Sequence, residues 1–281
     1  MTLVWNLIKS LIYGIVQGIT EWLPISSTGH LLLMNNFMPL RVFADQASNE
    51  AFWEMYSVVI QLGSILAVML LFIRRLNPFS RKLNDKSRNG ILRTWIKILL
   101  ATFPAALAGV FLDDWIDAKM HSVYVIAAAL IVYGILFILI EKMQRPVTVK
   151  NTRQITYQSA LITGLAQMLA LIPGTSRSGV TILAGTLQGY NRTTAAEFSF
   201  FMAIPVMFGA GLLKLLKMRI ALNTAAVVIL LAGLVSAFIV SVLVIRQMLS
   251  YIRRNDFTLF GYYRIALGIM MLVFAMLHFV E

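Results

Sequence analysis

The chain has 281 residues, of which 59% are hydrophobic and 13% charged, with a net charge of +12 and a mean hydropathy of +0.80. That composition excludes an ordinary soluble globule and marks an integral membrane protein. The absence of cysteine excludes disulfides, thiolate nucleophiles and Cys-ligated zinc sites, and no nucleic-acid partner is expected, because the positive charge is distributed as membrane topology requires.

In chain order, the first apolar segment, 3–20, lacks the basic start and the small-residue cleavage site of a signal peptide and is read as part of the mature protein. It runs into the polar stretch Gln17-Gly-Ile-Thr-Glu21 and then Pro24-Ile-Ser-Ser-Thr-Gly-His30. Broken at Pro24, segments 3–20 and 24–40 read as a re-entrant helical hairpin rather than as two spans. Three runs long enough for a hydrocarbon core of roughly 20 helical residues follow at 55–73, 95–112 and 123–140. A second interrupted hairpin, 157–172 with 173–189, carries Pro173-Gly-Thr-Ser-Arg177-Ser-Gly-Val-Thr181 at its break. Runs at 196–213, 223–245 and 259–280 then complete a count of six crossings.

Residues 74–97 carry Arg74, Arg75, Arg81, Lys82, Lys86, Arg88, Arg93 and Lys97 against the single acid Asp85. That loop is expected to be cytoplasmic. Lys142, Arg145, Lys150 and Arg153, then Arg246, Arg253 and Arg254, fall on the same side, with Asp113, Asp114 and Asp117 opposite. Lys214, Lys217 and Arg219 break the pattern and are expected to face outward, at lipid headgroups.

The two polar stretches resemble one another. Gly14-Ile-Val-Gln17 matches Gly164-Leu-Ala-Gln167, Pro24-Ile-Ser-Ser27 matches Pro173-Gly-Thr-Ser176, and Glu54–Ser57 loosely echoes Glu197–Ser199. The fold expected is an all-α polytopic membrane protein of one domain, 1–281, built as an inverted repeat of 1–150 and 151–281. Each half is a hairpin plus three crossings, an odd number, so the second half enters from the opposite face. Broken backbone at membrane depth is tolerated only where protein or a wet cavity covers it, so the two tips should meet.

The tips carry the chemistry. Gln17 and Glu21 share a helix face, and Glu21 can bind a hard cation or accept a proton. Ser26, Ser27 and Thr28 stand at the start of the next helix, where backbone N–H groups and short hydroxyls form an anion cradle suited to phosphate. His30 is a candidate nucleophile or general acid. Arg177 offers a planar donor fork for phosphate oxygens, among Gly174, Thr175, Ser176, Ser178 and Thr181. In an empty pocket Arg177 would pair with Glu21. His121 and His278 are read as a loop and an interfacial residue, and Glu54 and Glu197 as structural, with a supporting role open for Glu197. Small residues at Ala101, Ala105, Gly109, Ala203, Gly209 and Gly211 permit close helix contacts, within the chain or in a homodimer.

Taken together, Gln17-x-x-x-Glu21, the Pro24-x-Ser-Ser-Thr-Gly-His30 run and the Pro173–Thr181 motif resemble the signatures of bacterial undecaprenyl pyrophosphate phosphatases of the bacitracin-resistance type. The resemblance implies a multi-pass enzyme of the inner membrane that dephosphorylates undecaprenyl pyrophosphate to the monophosphate carrier. It also implies a divalent cation, Mg2+ or Ca2+, and an active site open to the periplasm. Glu or Gln occurs at the position of Gln17 in that family, so here Glu21 is the only carboxylate of the motif and substrate phosphates would complete any metal site. On the residues alone, attack by His30, by Ser27 or by water activated by His30 all remain open. A secondary transporter is the rival reading, since inverted repeats with broken helices are its architecture as well.

Overall fold

The computed structural model describes residues 2–81, 83–120, 122–217 and 222–279. Ten α-helices account for nearly all of it: α1 (Thr2–Thr20), α2 (Ser27–Phe37), α3 (Gln46–Leu76), α4 (Asp85–Met120), α5 (Val123–Lys142), α6 (Tyr157–Gln167), α7 (Arg177–Leu187), α8 (Arg192–Lys217), α9 (Thr224–Ile252) and α10 (Thr258–Met276). Short 3-10 turns cover Thr152–Gln154 and Met168–Leu171. No strand occurs among the described residues, and an isolated bridge joins Val149 to Tyr190.

Side-chain oxygens start several of these helices, accepting from backbone N–H groups that would otherwise have no partner. Asp45 caps α3 by accepting from Ser48 N, Ser122 caps α5 through Val125 N, Thr156 caps α6 through Ser159 N, and Asn223 caps α9 through Ala226 N. Long apolar runs do the rest. Seven helices are long and apolar enough to cross a membrane among the described residues. Six of them correspond to the runs read from hydropathy: four contain their run in full, while 223–245 begins one residue before α9 and 259–280 runs past Met276, the last residue of α10. The seventh is Leu3–Thr20, nearly all of α1, which the sequence assigns to a hairpin and not to a crossing.

The helix ends fall into two groups. On the side of the basic loops, Glu141 at the end of α5 accepts from Arg192 of α8 at 2.6 Å and from Phe257 N, just before α10, at 3.0 Å. Arg75 at the end of α3 grips Glu197 of α8 with both guanidinium nitrogens, at 2.6 and 2.8 Å. Ser159 in the first turn of α6 meets Gln188 and Tyr190, just past α7, so α6 starts where α7 ends. On the other side, Asn6 and Lys9 of α1 donate to the carbonyls of Arg41 and Pro39 at 2.7 Å each, so α1 starts where α2 ends. Lys214 also stands there, 3.8 Å from Glu54. This pair supplies a partner for one of the cations that break the charge pattern. His121 and Arg219 lie outside the described residues.

The packing is mutual between the halves. α1 lies against α9 and α6 against α4; α3 packs on both α8 and α9, α8 also on α4, and α5 on α10. Close approach depends on glycine: a β-carbon on Gly14 would strike the Gly233 carbonyl of α9, and one on Gly164 would strike the Ala101 carbonyl of α4. Of the small residues noted in sequence, Ala101, Ala105 and Ala203 are buried within the chain, Gly211 sits beside Val58 and Leu62, and Gly209 faces open space.

Overpacking at a backbone contact costs about 1–3 kcal/mol. Gly164→Ala should therefore lower the thermal midpoint in detergent, whereas Gly209→Ala, with nothing near it, should leave it equal or slightly higher; equal shifts in the two variants would contradict the packing.

Candidate active site

Each polar stretch breaks a helix in the same way. Pro24 and Pro173 cannot continue a helix interior, because they lack an N–H and their rings clash with the preceding turn. Two and three residues on, Ser26 and Ser176 both take positive backbone angles, φ 71° and 70°, which L residues other than glycine seldom adopt. Each then caps the next helix, with its hydroxyl accepting from Gly29 N or Gly179 N. The separation between Ser26 and Ser176 equals that between Gly14 and Gly164. Matching Ser27 to Ser176 from sequence is therefore one residue out of register: Arg177 occupies the place of Ser27, Ser178 that of Thr28, and Leu171 that of Glu21.

The tips touch through three sets of contacts. Glu21, 7% exposed, accepts from Arg177 Nη2 at 3.0 Å on one oxygen. Its other oxygen accepts from Ser27 Oγ at 2.8 Å and from Gln17 Nε2 at 3.1 Å. Arg177 Nη1 donates to the Ser199 carbonyl of α8 at 2.8 Å, and its guanidinium lies 6.0 Å from the centre of the Trp22 ring. Ser178 Oγ donates across to the Glu21 carbonyl at 3.3 Å. Thr181 Oγ1 lies 2.7 Å from Ser199 Oγ. Gln17, Glu21, Ser27, Arg177, Ser178 and Thr181 thus form one hydrogen-bonded cluster.

Other expected site residues stand differently. Thr28 is exposed and its hydroxyl makes no hydrogen bond among the described residues, while Thr175 is fully buried with its hydroxyl unpartnered there. Gly174 has φ +88°, and a β-carbon there would meet the backbone of Ile126, so it serves the close packing of the tip against α5. His30 has no bond to Glu21, Ser27 or Arg177. Its Nδ1 lies 2.8 Å from the Ser26 carbonyl, which can only accept, so Nδ1 carries the proton and Nε2 accepts from the Tyr263 hydroxyl at 2.7 Å. Three residues after Ser27 on α2, the ring is on the same side of the helix as the cluster, directed toward α10. Glu197 is held by Arg75 and Ser199 meets the cluster instead, so the position two residues on supplies the contact from α8.

A fully buried arginine on α10 holds the arrangement together. Arg264 donates Nη1 to the Pro24 carbonyl at 3.1 Å and Nη2 to the carbonyls of Gly174 and Thr175 at 3.0 Å each, with longer contacts to Ala129 and Leu130 of α5. One guanidinium satisfies backbone acceptors from both breaks. Sequence pattern alone brings out none of Arg264, Tyr263 and Ser199 as part of the site: an ionisable group inside the apolar run 259–280 is the signal for the first, and nothing in local pattern marks the other two.

For a divalent cation, no group of three His, Asp or Glu residues is gathered among the described residues. Gln17 Oε1, however, is buried beside Glu21 without a hydrogen-bond partner. One carboxylate and one free amide oxygen fit a hard cation whose remaining ligands come from a bound anion.

Residues 10–270 match the family described as bacitracin resistance protein BacA. Proteins named undecaprenyl-diphosphatase are similar to the chain: one from Enterococcus faecalis is 49% identical over 94% of this chain and 95% of its own length, and one from Acetivibrio thermocellus 47% identical over 96% and 97%. Undecaprenyl-diphosphatase 1 of Clostridioides difficile is 48% identical over 96% of each.

Each buried acceptor left without a donor costs about 1–3 kcal/mol. Arg264→Met, which strands at least three, should lower the thermal midpoint in detergent by roughly 6 °C or more. Arg264→Lys, keeping the charge and losing the fork, should fall between the two; a midpoint for Arg264→Met within a degree or two of the parent would refute the clamp.

Proposed function

The chain belongs to the bacitracin resistance protein BacA family, and from that membership we infer that it is an undecaprenyl-diphosphatase. It is a multi-pass membrane enzyme that hydrolyses undecaprenyl pyrophosphate to undecaprenyl phosphate and inorganic phosphate, returning the carrier to cell-wall synthesis. The observation that carries the site assignment is the Glu21–Arg177 pair at 3.0 Å, an acid from one tip and a phosphate-binding fork from the other in a buried setting.

The chemistry follows from the hydrogen bonds. Arg177 binds the terminal phosphate in exchange for Glu21, which frees the carboxylate while Ser27 Oγ still donates to it. The N–H groups that open α2 and α7 hold further phosphate oxygens, together with Ser26, Thr28, Ser176 and Ser178. Ser27 Oγ attacks the terminal phosphorus and its proton passes to Glu21. The bond from that phosphorus to the bridging oxygen breaks, and the lipid monophosphate leaves with the electron pair. Water then cleaves the phosphoserine, releasing inorganic phosphate. The direct hydrogen bond to Glu21 favours Ser27 over His30, whose Nε2 is already engaged by Tyr263. A divalent cation held by Glu21 and Gln17 would neutralise charge on the bridged phosphates.

The architecture belongs to the same proposal: an inverted repeat, 1–150 and 151–281, in which each half contributes a re-entrant hairpin. Support comes from hairpin ends that meet on opposite sides, from the shared geometry at Ser26 and Ser176, and from helix contacts that are exchanged between the halves. The orientation follows the basic loops, which would face the cytoplasm of the inner membrane, with the site open to the periplasm. A homodimer would use surfaces other than Ala101, Ala105 and Ala203, which are committed inside the chain.

Phosphate release from a long prenyl pyrophosphate is expected for the purified protein in detergent, with no second compartment, and is expected to stop with chelator. Arg177→Ala should lower kcat by roughly 10^3 or more, as loss of an arginine finger does; a loss within about tenfold would remove Arg177 from the chemistry. With label in the terminal phosphate, acid quenching should trap an acid-stable phosphoenzyme that disappears in Ser27→Ala and persists in His30→Ala. An acid-labile species lost in His30→Ala would assign the attack to the imidazole.

Orientation is readable because the chain has no cysteine background. A membrane-impermeant maleimide should label Ala47→Cys but not Lys86→Cys in intact spheroplasts, and both after lysis; the opposite pattern would invert the topology.

A further inference from the structure

The first turns of α4 set Gly90, Arg93 and Lys97 on one face, as their spacing dictates. Like charges four residues apart repel, so this face is unfavourable unless an anion meets it. Opposite lies the linker that precedes α6. There Arg153 lays its guanidinium over Gly90, with Nε 4.0 Å from where a β-carbon would stand. With Ile155, Thr156 and Tyr157 these residues line a cavity of about 560 Å³. Among the described residues no carboxylate is within ion-pair distance of Arg93, Lys97 or Arg153.

Lys97 is the decisive member. It is only 7% exposed, yet its ammonium donates to a single neutral acceptor, the Arg153 carbonyl, at 3.0 Å, and stands 5.7 Å from the Tyr157 ring centre. An ammonium carries three donors. Two of them have no hydrogen-bond partner among the described residues, and the charge meets no carboxylate there, in a place where hydration is restricted. Two other partly buried cations on this side of the bundle are matched, Arg75 by Glu197 and Arg192 by Glu141.

The apolar surroundings indicate what kind of anion fits. Tyr157, Leu161 and Leu165 follow at helical spacing on α6, all exposed on the outer surface of the bundle, and Tyr157 lines the cavity itself. A phosphate seated among Arg93, Lys97 and Arg153 would have its apolar chain laid along Leu161 and Leu165. We propose that this cavity binds the phosphate of an anionic glycerophospholipid in the leaflet on the side of the basic loops, tying α4 to the linker between the halves. The site is separate from the pyrophosphate site, where Arg177 is matched by Glu21.

The test is the thermal midpoint of the whole protein in neutral detergent, since a ligand of the folded state raises it. Phosphatidylglycerol is expected to raise it saturably, phosphatidylcholine and orthophosphate at equal concentration not at all. Each surface cation contributes about 1 kcal/mol to lipid binding, so Arg93→Gln should raise the half-saturating phosphatidylglycerol concentration about fivefold and Arg93→Gln with Arg153→Gln roughly 25-fold. Phosphate release should be unchanged in Arg93→Gln, which shows that variant folded and lets it decide alone if the double variant does not fold. An equal rise with phosphatidylcholine, a rise reproduced by orthophosphate, or an unchanged half-saturation in Arg93→Gln would each overturn the assignment.

Discussion

Backbone polar groups in an apolar interior must find partners inside the protein, and a chain that breaks two helices there creates acceptors that no neighbouring turn can serve. Arg264 answers that constraint. From the second turn of α10 its guanidinium reaches Pro24 in one break and Gly174 and Thr175 in the other. Because the fork is planar and rigid, these bonds fix the distance between the breaks as well as satisfying them. The breaks that carry Glu21 and Arg177 are joined by this third residue, which holds the backbone and takes no part in their ion pair. A fully buried cation with only neutral partners costs desolvation. Here carbonyl dipoles from two breaks and from α5 converge on it, and the Tyr133 ring lies 5.7 Å away.

The second consequence concerns the division of labour between the halves. The breaks share a backbone conformation and a cap, with serine at positive φ in each. Their side chains differ at the positions that matter: Ser27 against Arg177, Glu21 against Leu171, His30 against Val180. The shared conformation therefore gives two helix starts capped in the same way, while differing side chains place the acid and hydroxyl on one tip and the cation on the other. Gln167, the counterpart of Gln17, shows what the divergence leaves behind. With no carboxylate one turn on, its buried amide has no hydrogen-bond partner, whereas Gln17 donates to Glu21.

Much of this was legible in the amino-acid sequence. Six long apolar runs correspond to α3, α4, α5, α8, α9 and α10, with the end of the last misplaced past Met276, because hydropathy is a property of composition and needs no tertiary information. Two breaks and the Glu21–Arg177 pairing were legible because proline, glycine and lone charges are conspicuous in greasy sequence. What escaped required knowing which helix passes each tip. Ser199 lies in an ordinary apolar helix and gains meaning only because α8 runs beside Arg177, and Tyr263 matters only because α10 faces His30. The one-residue error of register arose from matching Pro24 to Pro173. What the fold preserves is the positive-φ serine, two residues after one proline and three after the other.

The interlocking of the halves bears on how the enzyme works. Alternating access by rocking needs two bodies joined by an interface that can be exchanged. In this fold the first helix of each hairpin packs on a long helix of the opposite half, α1 on α9 and α6 on α4. Glu141 with Arg192 and Arg75 with Glu197 cross-link the halves on the basic side, and Arg264 joins both tips. Moving one half against the other would break all of these together. Phosphoryl transfer asks for the reverse, a charge arrangement that does not reorganise as the reaction proceeds. Two tips from different halves, held by an arginine that lies outside the Glu21–Arg177 pair, make an arrangement suited to such stationary catalysis.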